Sequence, residues 1–344
     1  MNASSRMNDL RQIENELYQP SLALLNDLKK MEGDIMLLGV AGKMGPSMAR
    51  LAKMAVDAAG VKKNIIGVSR FSDPEVRQQL EKDGIATISA DLLNEEELAA
   101  LPPVKNILYL AGTKFGTTGK EPFTWAMNAY LPGRVATHFK QSNIVAFSTG
   151  NVYPFVDLHS GGASEDLLPA PVGEYGQSCL GRERIFQYFS EKNKTPTLIY
   201  RLNYAIDLRY GVLMEIARAV REERPVDLRT GAVNVIWQGD ANEIAIRSLL
   251  HCQSPARLLN VTGPETVSIQ WVAEAFGKLF GKKVSFTGEI QPTALLNNAS
   301  LAHSIFGYPR VGLRKMLQLT ADWLQQGGET INKPTHFQER QGQF

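Results

Sequence analysis

Six short apolar runs separated by stretches of helical spacing constrain the fold more than any other feature of this chain. They are 34–39 (DIMLLG), 64–68 (NIIGV), 85–89 (IATIS), 106–112 (NILYLAG), 143–148 (NIVAFS) and 197–201 (TLIYR). Runs this short, bounded by turn residues, read as strands; helices between them imply parallel strands joined by right-handed crossovers. Strands that are apolar throughout are buried on both faces. The expected fold class is therefore α/β, a doubly wound parallel sheet with a smaller C-terminal lobe.

The rhythm changes after Asn203. A helix over Val212–Arg221, a loop through Trp237-Gln-Gly-Asp240, a helix over Ala241–His251, a strand over Leu258–Thr262, and helices over Ile269–Phe280 and Val311–Gln326 describe a lobe interleaved with the last sheet strand. Ahead of the first strand, Leu10, Ile13, Leu17, Leu22, Leu25 and Leu28 recur at spacings near three and four, broken by Pro20. This predicts two short amphipathic helices that cover a sheet edge or a subunit contact. The expected divisions are 1–33, a helical extension; 34–203, the dinucleotide-sized sheet domain; 204–330, the lobe; and 331–344, a polar tail.

Charge narrows the partners. The 37 basic and 35 acidic residues are well mixed and leave a formal charge of +2, so no basic stripe marks nucleic acid or a lipid surface, and small molecules are favoured. Two cysteines, Cys179 and Cys252, form neither a disulfide framework nor a metal spacing, and no metal is expected. The stretch MNASSRMNDLRQIENELYQPSLALLNDL contains acidic residues and no unbroken apolar core, which predicts neither a signal peptide nor a membrane span and leaves a cytoplasmic location as the expectation.

The first strand runs into Gly39-Val-Ala-Gly42-Lys43-Met44-Gly45-Pro46, and Met48, Leu51, Ala52 and Ala55 then form a helix face ending near Gly60. Glycines at such a turn allow close approach of a pyrophosphate, while free N–H groups at the helix start attract its charge. Pro46 suits the first helical turn. The second strand ends in Ser69-Arg70, where an NAD-selective site presents a carboxylate to the ribose 2′-hydroxyl; here the next carboxylate is Asp73. A hydroxyl and an arginine can instead hold a 2′-phosphate through charge-assisted bonds, with Lys43 as a second cation. NADP is the expected cofactor, ahead of NAD.

Taken in order, these landmarks resemble the extended short-chain dehydrogenase/reductase family, the NAD-dependent epimerase/dehydratase group, from Asp34 to about Trp323. Asp91-Leu92 resembles that family's adenine-contacting pair, and Leu110-Ala111-Gly112 its fourth-strand end. Phe147-Ser-Thr-Gly-Asn-Val-Tyr153 is similar to its Ser-Ser-x-x-Val-Tyr segment, which puts Thr149 at the active-site Ser/Thr. Leu259-Asn-Val-Thr-Gly263 and Trp237-Gln-Gly-Asp240 are similar to late landmarks of the group. The resemblance implies a Rossmann-like fold, cofactor contacts from Ser69, Arg70, Asp91, Leu92, Ala111, Tyr175 and Cys179, and a homodimer through the helix bearing Tyr175. It also implies epimerase, dehydratase or oxidoreductase chemistry on a carbohydrate-like secondary alcohol.

Tyr175-Gly-Gln-Ser-Cys179 stands where the family has Tyr-x-x-x-Lys, with cysteine in place of lysine. Residues four apart share a helix face, so the usual ammonium lies near the tyrosine and lowers its pKa. A free tyrosine titrates near ~10; reaching ~7 takes about 4 kcal/mol of differential stabilisation. Lys114, just past the fourth strand, and Arg182, seven residues beyond Tyr175 on the same face, are the cations able to substitute. Thr149 is expected to hold the reacting oxygen and Tyr175 to exchange its proton, with Lys114 as the third catalytic residue. On the substrate side the family's Arg-x-x-Asn pattern becomes Arg201-Leu-Asn203, one residue short, which favours a smaller polyol, sugar or sugar acid over a nucleotide sugar, with Arg209 and Tyr210 available to its hydroxyls or carboxylate. The alternative reading is an NADP-binding sensor or regulatory protein that lost its chemistry with the lysine.

Overall fold

In a computed structural model, which describes residues 18–114, 119–331 and 335–343, all six apolar runs form strands and Arg257–Val261 adds a seventh. The strands are β1 (Ile35–Leu38), β2 (Ile65–Ser69), β3 (Ala86–Ser89), β4 (Asn106–Tyr109), β5 (Asn143–Thr149), β6 (Thr197–Leu202) and β7 (Arg257–Val261). They form one sheet in the order β7-β6-β5-β4-β1-β2-β3, and every neighbouring pair is parallel. This is the doubly wound, Rossmann-like α/β fold. The strand order reverses between β1 and β4, and the crevice beyond their carboxyl ends is where such sheets bind ligands.

Strand periodicity explains why β1 is apolar at every position. Ile35 and Leu37 join one core with Leu108, Val145, Met48, Leu51 and Ala52, while Met36 and Leu38 join another with Ile107, Ile144, Leu131 and Phe186. Helices cover both faces: α1 (Leu22–Lys30), α2 (Gly45–Ala59), α3 (Pro74–Lys82), α4 (Glu95–Ala99), α5 (Glu121–Trp125), α6 (Leu131–His138) and α7 (Gly173–Asn193). The lobe is built from α8 (Val212–Arg221), α10 (Ile269–Phe280) and α12 (Leu313–Gln325), whose Leu213, Phe276 and Leu317 share a separate core. Between them, α9 (Gln238–Arg247) packs on α2, and α11 (Ser300–Phe306) lies against β7.

Two local expectations are corrected. The helix expected from Ala241 starts at Gln238, so most of the expected 237–240 loop is helical. Asp240 sits in that first turn, where a carboxylate favours the helix dipole, and it accepts the Val311 amide at 2.9 Å. The N-terminal helix α1 does not cover a sheet edge: Leu24 and Leu28 pack it onto α2 and α9. Its start is capped by Ser21, whose side chain accepts the Leu24 amide and whose hydroxyl donates to Glu243 of α9. The other expected helix, with Leu10, Ile13 and Leu17, lies outside the described residues.

Candidate active site

The β1–α2 turn builds the floor of a cleft at the switch point. Gly39 has φ +88°, and a Cβ there would come within 2.8 Å of the Ala111 amide nitrogen, so only glycine lets the turn approach the end of β4. A Cβ on Gly45 would stand 2.0 Å from the Val40 carbonyl oxygen, which locks α2 close to β1. No side chain caps α2, so the leading amides of this 15-residue helix are left for a ligand. The cavity above has a volume of about 280 Å³. Gly39, Gly42, Lys43, Met44 and Gly45 line it, together with Lys114, Thr149, Tyr175 and Asn203.

Two further elements bring the hydroxyls together. Thr149 is the last residue of β5, and its Oγ1 donates to Asn151 Oδ1 at 3.0 Å and accepts the Asn151 amide at 3.2 Å. Tyr175 lies in the first turn of α7 and lines the same cavity as Thr149, and both Thr149 and the Cys179 thiol act on its phenol. Burial pushes the Tyr175 phenol above its ordinary value and Cys179 adds to the rise, while the Arg182 charge and Thr149 oppose it. Cys179 itself is fully buried beside Val152, Tyr153 and Ala163, and burial raises its thiol too. Position 179 therefore presents a neutral group to the tyrosine.

The cations stand around this pair. The Lys114 ammonium is 5.6 Å from the Tyr175 ring centre, and burial lowers its pKa to about 8 against the opposing influence of Cys179. Arg182 is buried, donating to the Phe147 carbonyl at 2.8 Å and to Asn128 Oδ1 at 2.6 Å, and its charge acts on both Cys179 and Tyr175. Asn128 comes from a π-helical turn, Ala126–Tyr130, between α5 and α6. It accepts the Thr113 amide and donates to the Thr113 carbonyl, each at 2.9 Å, and also donates to Ser178. One buried amide thus ties the strand exit carrying Lys114 to the helix carrying Tyr175. Wide turns of this kind recur at functional sites, and nothing in the local pattern of AMNAY announces one.

The other expected contacts lie away from the cavity lining. Ser69 ends β2, and Arg70, 58% exposed, reaches 4.0 Å from the Asp91 carboxylate, itself 42% exposed. Leu92 and Ala111 are buried in the core, Ala111 just past the end of β4 against the Gly39 turn. Arg209 is exposed, with its guanidinium 6.0 Å from the Trp323 ring. Sequence reasoning passed over several lining residues, Tyr204, Gly211 and Thr335 among them. Tyr204 and Gly211 hold positive φ values of 38° and 129° in the loop that closes the cleft. Thr335 of the tail also lines it, donating to Glu215 of α8 at 2.6 Å, and Phe337, the buried aromatic of an otherwise polar tail, was the available signal.

No protein-family model matches the chain, and no curated protein matches it. Solved structures do. A UDP-glucuronic acid 4-epimerase from Bacillus cereus in complex with NAD superposes with a TM-score of 0.70 at 19% identity, over 85% of this chain and 99% of the other. The UDP-glucose 4-epimerase of Thermus thermophilus with NAD gives 0.68 at 17% identity over the same shares. The Thermotoga maritima UDP-glucose 4-epimerase with UDP-glucose gives 0.68 at 14% identity, over 85% and 98%. The chain has the fold of these epimerases from end to end of theirs, sheet and lobe alike.

Proposed function

We propose that the chain is an NAD(P)-dependent oxidoreductase of the epimerase/dehydratase type, in the extended short-chain dehydrogenase/reductase family, acting on a secondary alcohol of a carbohydrate-like substrate. The observation that carries this reading is convergence: the uncapped glycine turn, Thr149, Tyr175 and Lys114 all meet in one cleft. In this reading 34–203 holds the dinucleotide and 204–330 the sugar. The glycine turn fits a pyrophosphate, since its leading amides are open and a side chain at Gly39 or Gly45 would fill the approach. When bound, the dinucleotide supplies the hydride acceptor and donor.

The chain's own residues then handle the proton. Thr149 and Tyr175 line one cavity and grip one substrate oxygen in this reading, with Tyr175 Oη exchanging its proton. Arg182 and Lys114 supply the positive field that lysine gives elsewhere in the family, Arg182 from below through the helix and Lys114 from the cleft. A preference for NADP is supported by the β2 end, which offers Ser69 and Arg70 and no carboxylate of its own. The Arg70–Asp91 pair is half exposed and contributes ~0–1 kcal/mol, so it yields readily to a 2′-phosphate. Calorimetric titration with both dinucleotides tests this: NADP binds more tightly, and Arg70→Ala weakens NADP selectively. A preference for NAD that survives the substitution refutes it.

A cytoplasmic homodimer is the proposed working form, supported by Phe123, Trp125 and Tyr130 of the 121–138 segment and Tyr188 of α7, all large and exposed. Among the described residues no helix is long and apolar enough to cross a membrane. The sensor reading draws on one observation, the rise of the Tyr175 phenol beside an uncharged Cys179. A chain that binds NADP yet turns over no member of a sugar, sugar-acid and nucleotide-sugar panel favours the sensor.

A further inference from the structure

Two ammonium groups enter the cleft from different elements. Lys43 leaves the β1–α2 turn and reaches across to the lobe side, with its Nζ 3.7 Å from the Tyr210 ring centre and donating to the Ala205 carbonyl at 3.5 Å. Lys114 leaves the end of β4 and stands at the Tyr175 ring. Among the described lining residues there are these two lysines and no aspartate or glutamate.

Lys43 keeps an exposed face, yet partial desolvation lowers its pKa to about 7, opposed by Asp207, outside the lining, and assisted by Lys114. Two ammonium groups lining one cavity set up a positive field that an anion reaching both would satisfy. The dinucleotide pyrophosphate is the first anion to consider. The open amides of α2 already provide for it. Lys43, expected from the sequence as a second cation beside Ser69-Arg70, instead neighbours Tyr210 and Ala205 on the lobe side, and Lys114 neighbours Tyr175 at the proton-transfer end.

We propose that Lys43 and Lys114 receive an acidic group carried by the substrate, a carboxylate or phosphate ester, so that the substrate class is acidic sugars rather than neutral ones. The proposal takes from the dinucleotide reading which end of the cleft is the substrate end.

Calorimetry on the full chain, with and without saturating NADP, tests it on matched probes: glucuronate against glucose and galacturonate against galactose for the carboxylate, and glucose 6-phosphate against glucose for the phosphate ester. The acidic member binds more tightly by on the order of tenfold in at least one pair, the scale of one charged hydrogen bond. Lys43→Gln and Lys114→Gln each abolish that preference while changing NADP affinity far less, and Lys43→Arg, which keeps the charge, retains most of it. Equal binding within every pair overturns the proposal. So does a loss of NADP affinity in the Gln variants as large as the loss of the acidic probe, which would assign the lysines to cofactor phosphate. If NADP fails to bind the parent chain while the acidic preference and its loss in the variants persist, the dinucleotide reading falls and the anion site is supported.

Discussion

At the scale of residues, the site turns on a tyrosine whose helix neighbour four residues on is a buried cysteine rather than a cation. Thr149 and Tyr175 line one cavity, while the buried thiol of Cys179 leaves position 179 neutral. Tyr175→Phe is therefore expected to lower kcat by about 10²–10⁴, the usual contribution of a positioned proton donor, while leaving NADP affinity nearly unchanged. Full activity in Tyr175→Phe would move the role to another residue. Cys179→Lys restores the charge, and the pH profile of the oxidative direction should shift to lower pH. The cleft lysines give a second pH dependence. Their folded values, about 7 for Lys43 and about 8 for Lys114, lie below the ordinary lysine value of 10.5, so without ligand their protonation costs stability. That cost is full below about 7 and fades as pH rises toward 10.5. An acidic ligand binds the protonated form. With Asp207 and Tyr210 facing Lys43, Tyr175 and Cys179 facing Lys114, and Lys114 acting on Lys43, its affinity is expected to be full below pH 7 and to fall as pH rises through 7 and 8. Affinity independent of pH over that window would show that the ammonium groups do not touch the ligand.

At the scale of elements, sequence patterns carried the sheet well because each strand is buried on both faces, and a continuous apolar run bounded by turn residues has few other readings. The helix over Val212–Arg221 was legible end to end for the complementary reason that its apolar residues recur at helical spacing. What stayed hidden depends on partners distant in sequence. Arg201 is a charged residue inside a strand that looks purely apolar, and it lies fully buried, its guanidinium paired with Glu183 of α7 at 2.6 Å and donating to Tyr153. Ser148 donates to the same Glu183, and Tyr153 to Asn260 of β7, so one polar network ties β5, α7, β6 and β7 behind Thr149. Arg201→Met would leave Glu183 buried and unpaired, a loss of about 3–5 kcal/mol in unfolding free energy by denaturant titration. A change below 1 kcal/mol would show that the network does not brace the site. The β1–α2 turn is as demanding: Gly45→Ala puts a methyl against the Val40 carbonyl and is expected to cost about 1–3 kcal/mol.

At the scale of the whole molecule, the lobe and the sheet domain meet over the cleft through Lys43 and Tyr210, Ser47 with Gln238, and the returning tail at Thr335. Gln238 and Asn242 both donate to Ser47 Oγ, at 3.0 and 2.9 Å, so the start of α2 is braced by α9 and the turn above it is held ready for a ligand. Assembly is the other property at this scale. The exposed aromatics of 121–138 and α7 are expected to be covered by a second copy, and Tyr188→Glu together with Tyr130→Glu should convert a dimer to a monomer in sedimentation without loss of fold. A parent chain that sediments as a monomer would remove that expectation. The central claim is that one cleft joins dinucleotide to proton-transfer pair, and a crystal structure with NADP tests it most directly. The pyrophosphate is expected over Gly39–Gly45 and the nicotinamide C4 facing the Thr149 and Tyr175 hydroxyls, with room for a substrate oxygen within about 3 Å of both. A nicotinamide turned away from that pair, or a dinucleotide bound elsewhere on the chain, would contradict it.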